Sequence, residues 1–287
     1  MSDTDFRKAN VCIVGGKGRM GRWFGSLFQK AGMDTITSDL DDSPLPETSV
    51  ASFDVVILAV PVTAIEGVMR SIGRFIRPDA LLMDISSIKR DPINFMLKYS
   101  QSEVIGTHPF FGPSTASLLD QVVFICPSRT EKWIKPLRNF LEEQGAKITE
   151  IAPDGHDKLM ACFQTLRHLM LTSLGQTLIR LGFDSHLQLQ ATGAWFDQLL
   201  AMMRRQFEQP SELYADLAIE NPYSSETLKL FSDSLNEIAN LVSTGNRDGL
   251  VSAMDEVAHF CATEATSNVS QWGWWRDIGG DSRHIEV

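Results

Sequence analysis

Residues 11–33 read VCIVGGKGRMGRWFGSLFQKAGM and carry the clearest structural pattern in the chain. The all-apolar run at 11–14 predicts a strand that is buried on both faces. Residues 16–21 follow as G-x-G-x-x-G, and large apolar side chains then recur at helical spacing. These side chains are Met20, Trp23, Phe24, Leu27 and Phe28. A strand, a glycine-rich turn and a helix in this order predict a dinucleotide-binding unit.

Each glycine of the motif has a physical role in holding a dinucleotide. We expect Gly16 to allow a tight turn, Gly18 to let backbone N–H groups approach a pyrophosphate, and Gly21 to let the helix pack closely on the strand. The amino terminus of the helix adds partial positive charge near the phosphates. The predicted cofactor-binding residues of this turn are Gly16, Lys17, Gly18, Arg19, Met20 and Gly21.

An acidic residue stands where the ribose of the cofactor would bind. A second strand is predicted at residues 34–38, and Asp39 follows it, roughly 20 residues after Gly21. An acid at this spacing accepts a hydrogen bond from the ribose 2′-hydroxyl and repels a 2′-phosphate, which predicts NAD rather than NADP. The alternative is that Asp39 is a solvated surface acid, because Asp41 and Asp42 lie close by.

The chain up to residue 151 alternates between predicted strands and helices. Further strands are predicted at 54–61, 80–85, 103–106, 122–126 and 147–151. This alternation is typical of an α/β fold with a doubly wound, mostly parallel sheet. Ligands of such sheets bind beyond the carboxyl ends of the strands. Val60 and Pro61, at the end of one strand, are therefore also predicted to bind the cofactor.

The sequence after residue 152 changes to helical patterns alone. Helices are predicted at 154–181, 188–206, 211–218, 225–243 and 247–265. A chain of 287 residues suits about two domains. We therefore predict a dinucleotide-binding domain at 1–152 and an all-helical domain at 153–287. We expect the tryptophans of the C-terminal tail to anchor it by packing or, alternatively, to cover the substrate; they are Trp272, Trp274 and Trp275.

Composition excludes several classes of protein. The net charge of −10 argues against a general nucleic-acid or membrane-surface binder, although it allows a small anionic substrate held by local cations. The four cysteines are scattered and form no C-x-x-C, so we predict neither a metal site nor a disulfide framework. The first ten residues lack the apolar core of a signal peptide, and no apolar run is long enough to span a membrane. We expect a cytoplasmic protein.

Two polar side chains follow the predicted strand at 80–85, in the sequence D-I-S-S-I-K at 84–89. Ser87 is a candidate catalytic residue, because a hydroxyl at the carboxyl end of a strand would face the nicotinamide pocket. The alternative is that Ser86 and Ser87 only cap the next helix. Lys89 is expected to be a solvated cation.

His108 is the strongest candidate for acid–base chemistry. It follows the predicted strand at 103–106 and precedes Pro109, which restricts the backbone beside it. An imidazole titrates near neutral pH, so it can accept the proton of a substrate hydroxyl while hydride leaves the same carbon. The alternative is a structural histidine that caps a turn.

The predicted helix at 154–181 carries candidate substrate-binding residues. His156 and Arg167 lie about three turns apart and so share nearly the same face, with Gln164 close by. An arginine among apolar neighbours needs a carboxylate partner, which either a substrate or a protein acid can supply. His168 points elsewhere and is expected to be structural.

These motifs together resemble the prephenate dehydrogenase family. The resemblance rests on G-G-K-G-R-M-G at 15–21, Asp39, D-I-S-S-I-K at 84–89, G-T-H-P-F-F-G-P at 106–113 and G-H-D-K-L-M-A-C-F-Q-T-L-R-H at 155–168. It implies a Rossmann domain and a helical domain that forms a homodimer, with the active site between them. The implied reaction is the oxidative decarboxylation of prephenate to 4-hydroxyphenylpyruvate with NAD, a step of tyrosine biosynthesis. No mutase activity is expected.

The resemblance also implies roles for particular residues. His108 would be the base on the C4 hydroxyl, and Ser87 would hydrogen-bond that hydroxyl or the histidine. Arg167 would bind a substrate carboxylate, and His156 would help to position the substrate. Members of the family also act on arogenate or on 4-amino-4-deoxyprephenate, and both substrates stay open here. The presence of His108 favours the hydroxyl substrates, because a 4-amino substrate needs less from a base.

Two other classes of protein compete with this interpretation. β-Hydroxyacid dehydrogenases and imine reductases also pair a Rossmann domain with helices, and they use a lysine on the first helix of the second domain. Lys158 is available, but at 100° per residue it lies about 200° from the face of His156. An NAD-binding regulatory protein is the non-enzyme alternative, and the set of Ser87, His108 and Arg167 argues against it because a pure binder needs no base.

Overall fold

The computed structural model describes residues 5–39, 47–183 and 193–264. These residues form two compact units, of which the first ends at Asp157 and the second begins at Lys158. We predicted the domain boundary at residue 152, and that position stays a prediction. The tryptophans at 272, 274 and 275 lie outside the described residues, as do Asp41 and Asp42.

The first unit contains one sheet with the strand order β2-β1-β3-β4-β5-β6-β7. Its strands are β1 Val11–Val14, β2 Thr35–Ser38, β3 Val55–Leu58, β4 Leu81–Asp84, β5 Glu103–Pro109, β6 Val122–Arg129 and β7 Lys147–Glu150. Neighbouring strands run parallel except β5 and β6, which are antiparallel. Every residue of β1, β3 and β4 is buried, as the all-apolar run at 11–14 predicted for β1. The predicted α/β class with a mostly parallel sheet is confirmed.

Four helices among the described residues accompany this sheet. They are α1 Arg19–Lys30, α2 Ile65–Ile72, α3 Arg90–Tyr99 and α4 Ile134–Glu143. Short 3-10 turns are at Phe6–Lys8, Glu47–Ser52, Val62–Ala64 and Gly73–Phe75. An aromatic cluster joins the N-terminal segment to α1 and α4, because the Phe6 ring lies 6.1 Å from that of Phe28 and 5.1 Å from that of Phe140, centroid to centroid. The N-terminal segment is therefore part of the core that α1 and α4 form against the sheet.

A long helical stretch follows β7, but it is not α-helical throughout. It consists of α5 Pro153–Met160, a π-helical segment Ala161–Leu166, and α6 Arg167–Arg180. A π-helix has more residues per turn than an α-helix because its hydrogen bonds run from i to i+5. The prediction that His156 and Arg167 share a face assumed 100° per residue, and the π-helical segment between them makes that assumption wrong.

The remaining described residues of the second unit are helical, which confirms the predicted helical region. The helices are α7 Ala194–Gln206, α8 Ser211–Glu220, α9 Ser224–Ser243 and α10 Arg247–Glu264. Their apolar residues are not all buried: Leu230 and Val242 of α9 are 63% and 62% exposed, and Met254 and Val257 of α10 are 61% and 60% exposed.

Candidate active site

The turn between β1 and α1 is built from glycines whose side chains would have no room. The positive φ falls on Gly15, at +88°, so the tight turn predicted for Gly16 lies one residue earlier. Gly16 is required for a different reason, since a Cβ there would lie 2.3 Å from the Cβ of Thr37. At Gly21 a Cβ would lie 2.4 Å from the carbonyl oxygen of Gly15, so the helix packs against the turn only because the residue is glycine.

The amino terminus of α1 has the features of an anion site. Its N-cap is Gly18, and no side chain caps the helix there. A helix terminus without a side-chain cap leaves its first N–H groups and its partial positive charge for a bound anion. Lys17 and Arg19 are exposed beside this terminus. The turn thus fits the phosphates of a dinucleotide.

Asp39 lies directly after β2, where its carboxylate accepts a hydrogen bond of 2.7 Å from the backbone N–H of Lys17. This bond ties the acid to the glycine-rich turn. Val60 and Pro61 follow β3, and the Val60 side chain lies 2.9 Å from where a Cβ of Gly15 would be. The predicted cofactor-binding residues are therefore brought together at the carboxyl ends of β1, β2 and β3.

His108 lies within β5 and not in a loop after it, because the strand continues to Pro109 along its antiparallel partner β6. Its side chain is buried, at 3% exposure. The imidazole stacks on Phe124 of β6, with ring centroids 6.1 Å apart, and meets the ring of Phe110 edge-on at 5.6 Å. Both aromatic rings restrict the orientation of the imidazole.

His108 is the first member of a buried hydrogen-bonded chain. Its Nδ1 lies 2.9 Å from Nε2 of His156, and Nδ1 of His156 lies 2.8 Å from Oδ1 of Asp157. His156 and Asp157 are completely buried. The first turns of α5 therefore bring an imidazole and a carboxylate to the carboxyl end of β5.

The electrostatic environment of this chain favours neutral imidazoles. Burial lowers the pKa of His108 well below its usual value, and the charges of His156 and Lys89 act in the same direction. Burial and Lys89 also lower the pKa of His156. Burial raises the pKa of Asp157 to about 6, although two backbone N–H donors oppose the shift. At neutral pH this hydrogen-bonded series thus consists of two neutral imidazoles, His108 and His156, and the ionised carboxylate of Asp157.

The expectation of a solvated Lys89 is wrong, because its side chain is completely buried. The Nζ of Lys89 pairs with the carboxylate of Asp84 at the end of β4 and donates a hydrogen bond of 2.6 Å to the carbonyl oxygen of Thr107. Ser86 donates to the same carboxylate. Ser87 is half-buried beside them. A buried lysine is tolerated here because an acid and a carbonyl satisfy its charge.

The amino terminus of α3 is capped by an acid, not by Ser86 and Ser87 as the alternative for these serines proposed. The acceptor for this terminus is Asp157, whose Oδ1 and Oδ2 accept bonds of 2.7 and 2.9 Å from the backbone N–H groups of Lys89 and Arg90. Sequence reasoning missed this role of Asp157. The only local signal was an acid next to a histidine, and the helix that it caps begins 67 positions earlier.

Arg167 belongs to the second unit, and its side chain is partly exposed. Its Nη2 lies 3.2 Å from Nε2 of His168. Partial burial lowers the pKa of the guanidinium, and the charge of Arg205 acts in the same direction, whereas Tyr214 opposes the shift. Among the residues that the structure describes, Arg167 forms no ion pair with a carboxylate.

The neighbouring candidates on this stretch have different environments. His168 is buried, and its Nδ1 lies 2.9 Å from Oε1 of Gln206, as expected of a structural histidine. Gln164 is half-buried in the π-helical segment. Lys158 is exposed and lies over the ring of Tyr223, 5.4 Å from its centroid. Lys158 is therefore in a cation–π contact at the surface.

The described part of the chain offers neither a metal site nor a membrane span. No group of three or more potential ligands, counting His, Cys, Asp and Glu, could hold a metal ion there. None of the helices described is both long and apolar enough to cross a membrane.

Family models match both parts of the chain. The model for the nucleotide-binding domain of prephenate dehydrogenase matches residues 33–150, and the model for its dimerization domain matches residues 152–256. The first match begins after the glycine-rich turn. The two matches together include every candidate residue from Asp39 to Arg167.

Individual proteins are similar to this chain. A "Probable arogenate/prephenate dehydrogenase" of Methanocaldococcus jannaschii is 33% identical in an alignment 274 residues long, which covers 89% of this chain and 61% of that protein. The "T-protein" of Enterobacter agglomerans is 30% identical over 255 residues, 89% of this chain and 68% of that protein. The chain thus spans about three fifths of the first relative's length and two thirds of the second's.

The fold also resembles a solved structure. The crystal structure of prephenate dehydrogenase from A. aeolicus in complex with hydroxyphenyl propionate and NAD+ matches with a TM-score of 0.70. The match covers 88% of this chain and 97% of that one at 21% identity. At this level of identity the similarity is one of fold.

Proposed function

Because the chain belongs to the prephenate dehydrogenase family, we propose that it oxidises and decarboxylates prephenate to 4-hydroxyphenylpyruvate, using NAD. The single observation that carries the proposal is His108, a neutral imidazole buried at the carboxyl end of β5 and bonded into a chain that ends in a carboxylate. Such a ring can accept a proton at neutral pH, and a protein that only binds a dinucleotide has no use for it.

His108 acts as the general base in this proposal. It takes the proton of the C4 hydroxyl while the hydride on C4 leaves, and loss of CO₂ from C1 then makes the ring aromatic. Bound NAD supplies the hydride acceptor. Ser87, half-buried after β4, donates a hydrogen bond to the hydroxyl oxygen or to the histidine. The remaining task of the protein is to orient C4 and to hold the charged groups of the substrate.

Cofactor choice rests on Asp39 and on the glycine-rich turn. The turn leaves no room for a side chain at Gly21, and the terminus of α1 carries no side-chain cap, so both fit a pyrophosphate. Asp39 would accept a hydrogen bond from the ribose and repel a 2′-phosphate. We therefore propose NAD in preference to NADP.

Arg167 is proposed to bind a carboxylate of the substrate, with Gln164 and His156 contributing to the position of the substrate. The guanidinium has no carboxylate partner among the described residues, so it can form a bidentate ion pair with a ligand. The groups that influence its charge are Arg205 and Tyr214, neither of which is acidic at neutral pH.

The second unit is proposed to form a homodimer. Its sequence matches the dimerization domain of the family. Exposed apolar side chains on α9 and α10, among them Leu230, Val242, Met254 and Val257, offer the surface that a second copy would cover. Sedimentation of the full chain tests this proposal, and a monomer at micromolar concentration would contradict it.

The reaction is tested by following NADH formation with prephenate, arogenate and 4-amino-4-deoxyprephenate in parallel, each with NAD and with NADP. We expect turnover with prephenate and NAD, and much less in every other combination. Preference for arogenate or 4-amino-4-deoxyprephenate would support the oxidation proposed for the family but contradict prephenate as the substrate. NAD binding without turnover of any of the three would favour the regulatory alternative and contradict the proposed function.

A further inference from the structure

We propose that Asp157 is a positioning residue which, acting through His156, fixes the ring tautomer of His108 so that the lone pair lies on Nε2. This inference rests on the proposed role of His108 as base. It is carried by two hydrogen bonds, 2.9 Å between the imidazoles and 2.8 Å between His156 and the carboxylate.

The carboxylate at the end of the chain is held in one orientation. Its two oxygens accept bonds from the backbone N–H groups of Lys89 and Arg90, at the amino terminus of α3. A helix amino terminus carries partial positive charge and favours the ionised form of an acid. Asp157 therefore faces His156 as a fixed acceptor.

This acceptor determines which atom donates and which accepts in both hydrogen bonds of the series. A carboxylate can only accept, so Nδ1 of His156 must be the donor to it. A neutral imidazole with a proton on Nδ1 has its lone pair on Nε2, and this nitrogen must accept from Nδ1 of His108. A neutral His108 with its proton on Nδ1 then has its lone pair on Nε2. One acid thus determines which nitrogen of the base can react.

The same carboxylate also compensates the charge that catalysis creates. When His108 takes up a proton, an imidazolium forms in a buried site, which is costly without a counter-charge. The other buried cation nearby, Lys89, is already paired with Asp84. Asp157 remains as the counter-charge for the new cation, through His156. The arrangement has the logic of a serine protease triad, in which a buried acid orients a histidine and stabilises its charged form.

The direct test is the tautomer itself, measured by long-range ¹H–¹⁵N NMR of the histidine rings in the full protein without substrate. We expect His108 and His156 both to carry their proton on Nδ1 at neutral pH. A proton on Nε2 of His108 would overturn the inference, whatever the activity of the enzyme. The expected tautomers in a protein that turns over none of the three candidate substrates would leave the inference standing and reject the proposed function.

The kinetic test compares Asp157→Asn with Asp91→Asn. Asp91 is a matched control, because it lies in the first turn of α3, the helix whose terminus Asp157 binds, is half-buried, and accepts a hydrogen bond from the side chain of Arg90. We expect Asp157→Asn to lower kcat by about 10- to 100-fold with KM nearly unchanged, because the ring loses its orienting acid and counter-charge. An unchanged kcat in Asp157→Asn, or an equal loss in both variants, would overturn the inference. Should Asp157→Asn fail to fold, the tautomers of the unsubstituted protein still decide.

Discussion

Acidification is expected to destabilise the protein through His108 and His156. Both rings are neutral in the native state because burial lowers their pKa, whereas in the unfolded chain they take up protons below about pH 6.5. The unfolded state therefore binds more protons than the native state as the pH falls, and the free energy of unfolding decreases. The stability that is present above about pH 6.5 is lost progressively as the pH drops toward the native pKa values.

The magnitude follows from counting protons. Each ring that is protonated only in the unfolded state changes the free energy of unfolding by about 1.4 kcal/mol per pH unit, so the two rings together give about 2.7. Asp157 has the opposite sign, since its pKa of about 6 in the native state exceeds its unfolded value. Between about pH 6 and pH 4 Asp157 is protonated in the native state but not in the unfolded state. Its contribution to the free energy of unfolding therefore cancels that of one histidine ring. The net contribution of the three groups is a loss of about 1.4 kcal/mol per pH unit.

Urea unfolding, followed by tryptophan fluorescence at a series of pH values, measures this slope. His108→Gln should make the slope shallower than in the unsubstituted protein by about 1.4 kcal/mol per pH unit below about pH 6.5, and Asp157→Asn should make it steeper by about the same amount below about pH 6. His259→Gln, which removes an exposed imidazole on α10, controls for the substitution itself. An identical slope in His108→Gln and the unsubstituted protein would refute the reasoning.

Four further outcomes are expected. His108→Asn should lower kcat by about 10²-fold or more in the NADH assay while NAD affinity stays the same, and a normal kcat would exclude the base. Arg167→Gln should raise KM far more than it lowers kcat, with Arg180→Gln, an exposed arginine of α6, as the unaffected control. Gly21→Ala should weaken NAD binding at least about tenfold in calorimetry, because the new Cβ would lie 2.4 Å from the Gly15 oxygen. Asp39→Ser should raise the ratio of kcat/KM for NADP to that for NAD, and an unchanged ratio would contradict the role of the acid.

The parts of the fold that local patterns encode could be predicted from the sequence. The strands β1 and β3 are short all-apolar runs, β4 is apolar up to Asp84, and each is buried along its whole length. The length of β5 could not be predicted, because His108 and Pro109 belong to the strand only through pairing with β6. The proline and glycine residues beside His108 favour a loop, but the hydrogen bonds between β5 and β6 keep this segment in the strand.

Some features of the candidate site could likewise be predicted from the sequence, and others could not. His108 was identifiable from residue type and position, since an imidazole at a strand end is a candidate base. The burial of Lys89 was not, because it depends on Asp84 and the carbonyl of Thr107 arriving from two different strands. The π-helical segment between His156 and Arg167 was also invisible, because apolar spacing does not reveal which carbonyl each N–H group bonds.

The bonds from Asp157 to the start of α3 have a consequence for the order in which the protein is made. Lys89 leaves the ribosome 68 residues before Asp157 does, a delay of about 3 to 14 s at typical rates of synthesis. During that interval α3 exists without the acceptor for its first amides. The helix terminus and the two histidines can reach their final arrangement only after translation has passed into α5. The hydrogen-bonded chain of His108, His156 and Asp157 is therefore completed by the last described residue of the first unit.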